Sequence, residues 1–175
     1  MDVIDTIGCV TDTTARLTIS TASPLPDDPD GYRILRAYMA EVASRFWGSA
    51  ATSAEVDEVL LEDPSDDLVP PTGVFLLARD ASGPVGCVAV RRLSDGDCEL
   101  KRMYVDPAAR GRGVGRELVA AAEQAAREFG ATTLKLDTRA DLVEARTLYV
   151  SCGFVEIKAY NDAWYADHWY AKRLR

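Results

Sequence analysis

Arg110-Gly111-Arg112-Gly113-Val114-Gly115 is where this sequence concentrates residues able to do chemistry. Alternating glycines let a backbone turn sharply and approach a ligand closely, because no Cβ stands in the way. The segment follows a run with strand character, Cys98 to Val105, and opens a strongly periodic helix. A helix start presents unpaired N–H groups and the positive end of its dipole. Arg110, Arg112 and Arg116 add charge at the same point. Such a constellation suits an anion, above all a phosphate or pyrophosphate.

The helix is read from Val114, Leu118, Val119, Ala122, Ala125, Ala126 and Phe129, which recur at spacings of three and four. Arg116, Glu117, Glu123, Arg127 and Glu128 fill the opposite face, and Gly130 is placed to end it. Thr132 to Asp137 then alternates as a strand, so the unit is strand, glycine turn, helix, strand. Two better-known glycine motifs fail. A dinucleotide fingerprint needs a third glycine where Arg116 stands, although Asp137 lies near the place of a ribose-binding acid. A nucleotide-hydrolase phosphate loop needs a Gly-Lys-Ser/Thr that is missing.

Two hallmarks in order resemble the GNAT superfamily of N-acetyltransferases. Arg110, Gly113 and Gly115 match its pattern of Arg or Gln, two residues, Gly, one residue, Gly or Ala, after a strand leaving through Tyr104-Val105-Asp106-Pro107. Ala145 to Phe154 resembles its second hallmark, a helix ending in Leu-Tyr and then Gly-Phe. The resemblance covers roughly residues 85–157. It implies one α/β (α+β) domain over residues 1–175: a mixed central sheet of six to seven strands, splayed between strands 4 and 5 and flanked by about four helices.

What the family implies can be carried to this chain by position. Acetyl-CoA is the expected cosubstrate and no metal is expected. Main-chain groups of Met103, Tyr104 and Val105 would pair with the pantetheine arm as an added strand would. The pyrophosphate would rest on Arg110, Gly111, Arg112, Gly113, Val114, Gly115 and Arg116. Leu142 stands where many relatives carry an Asn. Tyr149 matches the tyrosine that faces the cofactor sulfur as general acid. A free phenol has a pKa of about 10 and a thiol about 8.5, so full transfer to the thiolate is uphill by roughly 2 kcal/mol. Tyr149 would then act mainly by hydrogen bonding, or else be a core aromatic bonded locally. Glu99 precedes Arg110 by the interval of the catalytic glutamate of related histone acetyltransferases. It would take the proton of an amine whose pKa is near 10, or simply pair with Lys101 two residues along the strand.

The whole reading is an acetyl-CoA-dependent N-acetyltransferase acting on a primary amine, in a small molecule or a protein, by direct attack in a ternary complex. The alternative is a non-catalytic acyl-CoA-binding sensor or interaction module. A third reading is a nucleotide-binding oxidoreductase fragment.

Composition is compatible with these readings. The chain has 175 residues, 47% of them hydrophobic, enough for a well-buried core. Cys9, Cys87, Cys98 and Cys152 show no close pairing or metal-ligand spacing, and His168 is the one histidine. Free thiols, no membrane-length apolar run and Asp2 and Asp5 at the start point to a cytoplasmic protein without membrane attachment. Net charge is −8; residues 1–70 hold 14 acidic against four basic side chains, and the remainder nets +2. That disfavours nucleic acid as a partner. Lys101, Arg102, Arg110, Arg112 and Arg116 form a local basic cluster opposed by Asp106 and Glu99, which suits a small polyanion. Acetyl-CoA and an amine acceptor are the expected partners, and a homodimer is compatible with the family.

The elements that must position these groups follow in order. Arg16 to Ser20 reads as a strand, about Pro29 to Phe46 as a helix, and Ala54 to Leu61 as a second. Val74 to Arg79 and Val85 to Leu93 form a hairpin, Asp141 to Cys152 a helix, Phe154 to Ala159 a strand, and Trp164 to Leu174 the last strand. In the family the acceptor meets the first helices and the segment between the last two strands. Arg45, Phe46, Trp47, Asn161, Trp164 and His168 are therefore candidates to line its pocket.

Overall fold

The computed structural model describes residues 17–175, so Arg16 of the first predicted strand, Cys9 and the N-terminal aspartates lie outside the described residues. The elements are β1 (Thr18–Ala22), α1 (Pro29–Trp47), α2 (Ser53–Glu62), β2 (Gly73–Asp80), β3 (Gly83–Arg92), β4 (Cys98–Val105), a 3₁₀ turn (Pro107–Ala109), α3 (Val114–Glu128), β5 (Thr133–Thr138), α4 (Val143–Ser151), β6 (Val155–Ile157) and β7 (His168–Arg173). The strands form one seven-stranded sheet in the order β1-β2-β3-β4-β5-β7-β6. Its mixed character and its four α-helices match the sequence expectation.

Local signals explain the element ends. Asp28 caps α1 by accepting from the Gly31 N–H at 3.1 Å, with Pro29 at the first helical position. Thr52 and Glu55 close a reciprocal capping box on α2. The last helix starts later than expected, at Val143, because Asp141 is held by the Arg139 guanidinium at 2.8 and 2.9 Å and Leu142 is non-helical. β7 is shorter than expected. Its ladder with β5 ends at Thr138↔His168, and Trp164 to Asp167 turns instead, with Ala166 N–H on Ala163 O at 3.0 Å.

The sheet carries an apolar layer on each face. On one, Leu118, Val119, Ala122 and Ala126 of α3 pack with Val88, Val90, Leu134, Leu136, Tyr149 and Phe154. On the other, Ile34, Leu35 and Met39 of α1 and Val56 of α2 cover Phe75, Leu77, Cys87, Ala89 and Tyr104. One helical position departs from the sequence reading. Glu123, placed there on the solvent face, is buried and bonded to Lys172 Nζ at 2.5 Å and Arg127 at 3.4 Å. Two cations satisfy a carboxylate that burial alone would penalise.

The feature that matters for function is where the sheet opens. β4 and β5 are parallel and pair only at Cys98↔Leu134 and Glu99↔Lys135, although β4 continues to Val105. Within β4 a bulge sets two residues against one of β3, and Arg102 there has φ +54°. The buried Arg102 guanidinium reaches Asp63 Oδ2 at 2.7 Å and Ser65 Oγ at 3.2 Å, tying β4 to the end of α2. No described helix is long and apolar enough to cross a membrane.

Leu118→Ala on the inner face of α3 should cost about 2–5 kcal/mol by urea denaturation. Val150→Ala, 58% exposed on α4, should stay within about 0.5 kcal/mol.

Candidate active site

Where β4 and β5 diverge, a cavity of about 490 Å³ opens. Leu100 to Met103 of β4, Asp137 and Thr138 of β5, Arg139 and Leu142 before α4, and Ala145 and Tyr149 of α4 form one part of its wall. Tyr38, Val42, Phe46 and Trp47 of α1, Glu62 of α2, and Trp164 and Tyr165 from the β6–β7 connection form the rest. Residues distant in sequence therefore meet only because two strands stop pairing.

Tyr149 is 5% exposed and packs against Phe154 and Tyr170, with ring centroids 5.9 and 6.5 Å away. Its ring belongs to the core, but the residue borders the cavity and its hydroxyl is not sealed in without a partner. Burial pushes the phenol well above its ordinary pKa of about 10, so it stays protonated and able to donate.

Glu99 is fully buried and is absent from the cavity wall. One carboxylate oxygen accepts from Arg91 Nε at 2.9 Å and Nη2 at 2.5 Å; the other accepts from Tyr160 hydroxyl at 2.7 Å and Asn161 Nδ2 at 3.3 Å. The alternative of a pairing with Lys101 is thus corrected. Arg91 stands directly opposite Glu99 on β3, and a cross-strand guanidinium reaches both lone-pair directions of one oxygen. Lys101 instead donates to the Tyr165 hydroxyl at 2.9 Å.

Asp137 is the carboxylate that sequence reading missed as a site residue, having noted it only as a stand-in ribose acid. It lines the cavity and accepts from Asn161 Nδ2 at 2.8 Å. The same amide spans Glu99 and Asp137, while Asn161 Oδ1 accepts from Trp169 Nε1 at 2.7 Å. Asp137 lies two residues beyond the last β4–β5 pair, on the strand face shared with Lys135, and no local sequence signal marks where that pairing ends.

The glycine turn sits at the carboxyl end of β4. Gly111 and Gly113 have φ of +75° and +85°, the left-handed region that side chains resist. Gly113 caps α3 without a side-chain bond. Among the described residues the N–H groups of Gly111 to Gly115 have no protein acceptor, whereas those of Arg116 and Glu117 already bond to Gly113 O at 3.0 and 3.2 Å. A Cβ on Gly115 would lie 3.0 Å from Leu148, so this glycine lets α3 and α4 come close.

The basic cluster read from sequence is dispersed by the fold. Arg102 is buried against Asp63, and Lys101 enters the cavity. Arg110 pairs with Glu41 at 2.5 Å and bonds Val105 O at 3.0 Å, and Arg112 pairs with Asp80 at 2.8 Å. Arg116 reaches Ser151 O at 3.4 Å and has no carboxylate within ion-pair distance among the described residues. The opposing acids are therefore Glu41 and Asp80; Asp106 is used to hold Ala108 N–H at 2.9 Å. Of the pocket candidates, Phe46, Trp47 and Trp164 line the cavity. Arg45 is taken by Glu41 and Glu144, Asn161 lies behind the wall, and His168 bonds Glu156 at 2.7 Å.

This geometry has counterparts among known proteins. The chain is 37% identical over 143 residues to an uncharacterized N-acetyltransferase of Schizosaccharomyces pombe, covering 80% of this chain and 84% of that one. Its fold is similar to an acetyltransferase of the GNAT family from Staphylococcus aureus, with TM-score 0.72 at 20% identity over 91% of this chain and all of the other. It is similar also to the yncA protein of Salmonella typhimurium, a structure holding its cofactor acetyl-CoA, with TM-score 0.64 at 19% identity over 92% and 95% of the two chains. The sequence profile described as the Acetyltransferase (GNAT) family spans residues 36–154, from the middle of α1 to the Phe154 that follows α4, and the chain belongs to that family.

Proposed function

We propose that this acetyl-CoA-dependent acyltransferase moves the acetyl group to a primary amine by direct attack while both substrates are bound. The observation that carries the reading is Tyr149, a donor kept protonated by burial, bordering a cavity at the point where two parallel strands part. The pantetheine arm lies along Met103 to Val105, whose strand edge is not paired by β5. The pyrophosphate lies on the N–H groups of Gly111 to Gly115, with Arg116 the cation most available to it.

The amine nitrogen attacks the thioester carbonyl carbon. As the N–C bond forms, the carbonyl π pair moves to oxygen, then returns as the C–S bond breaks and the pair leaves on sulfur. The amine loses one proton and the CoA sulfur gains one, giving the amide and free thiol. A phenol pushed above its ordinary pKa is a weak acid toward a thiolate. Tyr149 therefore works chiefly by hydrogen bonding to the charge that grows on sulfur. Asp137, on the cavity wall, receives the amine proton directly or through water. Glu99 is absent from the cavity wall and bonded to Tyr160 and Asn161, and we assign it to holding the β6–β7 connection in place.

Tyr149→Phe should lower kcat at least about tenfold while the KM for acetyl-CoA changes less than about threefold; equal losses in both would count against the donor role. Gly113→Ala forces a side chain into the left-handed region at a cost of roughly 1–2 kcal/mol. Calorimetry should then give an acetyl-CoA Kd at least about fivefold weaker. Glu99→Gln should cost about 2 kcal/mol of stability by weakening a buried ion pair. Asp137→Asn should instead reduce kcat with little change in melting temperature.

A further inference from the structure

The charges on the cavity wall do not all find partners in one another. Of the three cationic side chains on its wall, Arg102 has Asp63 at 2.7 Å and Arg139 has Asp141 at 2.8 Å. Lys101 has no carboxylate within ion-pair distance among the described residues; its ammonium is held by the Tyr165 hydroxyl at 2.9 Å. Two wall carboxylates have no cation within that distance among the described residues: Glu62, which is exposed at the end of α2, and Asp137, which is half-buried and accepts from the neutral Asn161 amide. Lys101 and Asp137 stand at equivalent places, each two residues beyond the last β4–β5 pair, Glu99↔Lys135. Lys101 and Asp137, both half-buried, lose part of their hydration without a counter-charge, whereas the exposed Glu62 keeps its own. A ligand carrying both charges offsets both losses.

The rest of the wall is aromatic. Phe46, Trp47 and Trp164 are 49%, 45% and 79% exposed, and Phe46 meets Trp164 edge to face at 5.6 Å. Rings this exposed beside a cavity gain from an apolar group that covers them.

Resting on the acyltransferase reading above, we infer that the acceptor is a free amino acid with an aromatic or bulky apolar side chain. Its α-amine faces Asp137, its carboxylate pairs with Lys101, and its side chain packs on Phe46, Trp47 and Trp164. A cavity of about 490 Å³ that must also admit the pantetheine end favours so small an acceptor.

The test compares L-tryptophan with tryptamine, and L-phenylalanine with phenethylamine, by thiol release from acetyl-CoA. The wild-type kcat/KM should favour the amino acid of each pair at least about tenfold. In Lys101→Met the preference should fall to within about threefold of unity, and Lys101→Arg should restore it. Comparing each pair's ratio between wild type and Lys101→Met cancels the difference in the amines' own reactivity, and acetyl-CoA binding by the variants checks that they fold. Equal use of the decarboxylated amines by wild type, or an unchanged ratio in Lys101→Met, would overturn the inference. So would acetylation of spermidine or a lysyl peptide with neither amino acid used, although the N-acetyltransferase reading would then stand. If no amine is acetylated while acetyl-CoA binds, that reading itself fails. Calorimetry with N-acetyl-L-tryptophan on the CoA complex then decides the inference: binding weakened at least about tenfold in Lys101→Met upholds it, and no binding overturns it.

Discussion

The cavity, and with it the proposed function, depends on one interruption of backbone hydrogen bonding. β4 and β5 pair at their start and then part, leaving the second half of β4 with an edge that no strand occupies. Unpaired strand edges are ordinarily covered or paired, because their N–H and C=O groups seek partners. Here the opening is maintained from both sides. The bulge at Arg102 turns β4 while its guanidinium is clamped by Asp63 and Ser65; on the other side Asn161 ties Asp137 to the Glu99–Arg91 pair. In the proposed function that edge is the binding surface for the pantetheine arm.

The polar groups divide into those that hold the opening and those that face it. Glu99, Arg91, Arg102 and Asn161 are bonded to one another or to the frame and have little left to offer a substrate. Tyr149, Lys101 and Asp137 border the cavity, and neither Lys101 nor Asp137 meets an opposite charge among the described residues. Buried networks of the first kind are costly unless complete, and among the described residues no buried side-chain polar atom lacks a partner.

Much of the frame was legible in the residues. The period of α3, the caps of α1 and α2, the β2–β3 hairpin and the glycine turn are local signals. A local rule finds them. What could not be read was which charge meets which. Lys101 is two residues from Glu99, yet Glu99 faces Arg91 across a strand pair; Arg110 and Arg112 find Glu41 and Asp80, far off in sequence. Glu123 looked like a surface residue because helix periodicity does not reveal that Lys172 of β7 comes within reach. Asp137 was visible as a strand residue, but its place in the cavity follows from the parting of β4 and β5, a tertiary fact.

In the proposed complex acetyl-CoA lies along the freed edge of β4 with its diphosphate on the turn before α3. Amide hydrogen exchange, followed with and without acetyl-CoA, reads those groups one by one. Slowed exchange is expected mainly at Met103–Val105 and Gly111–Gly115. Ligand binding that leaves those amides exchanging at their free rates, with protection elsewhere, would contradict it.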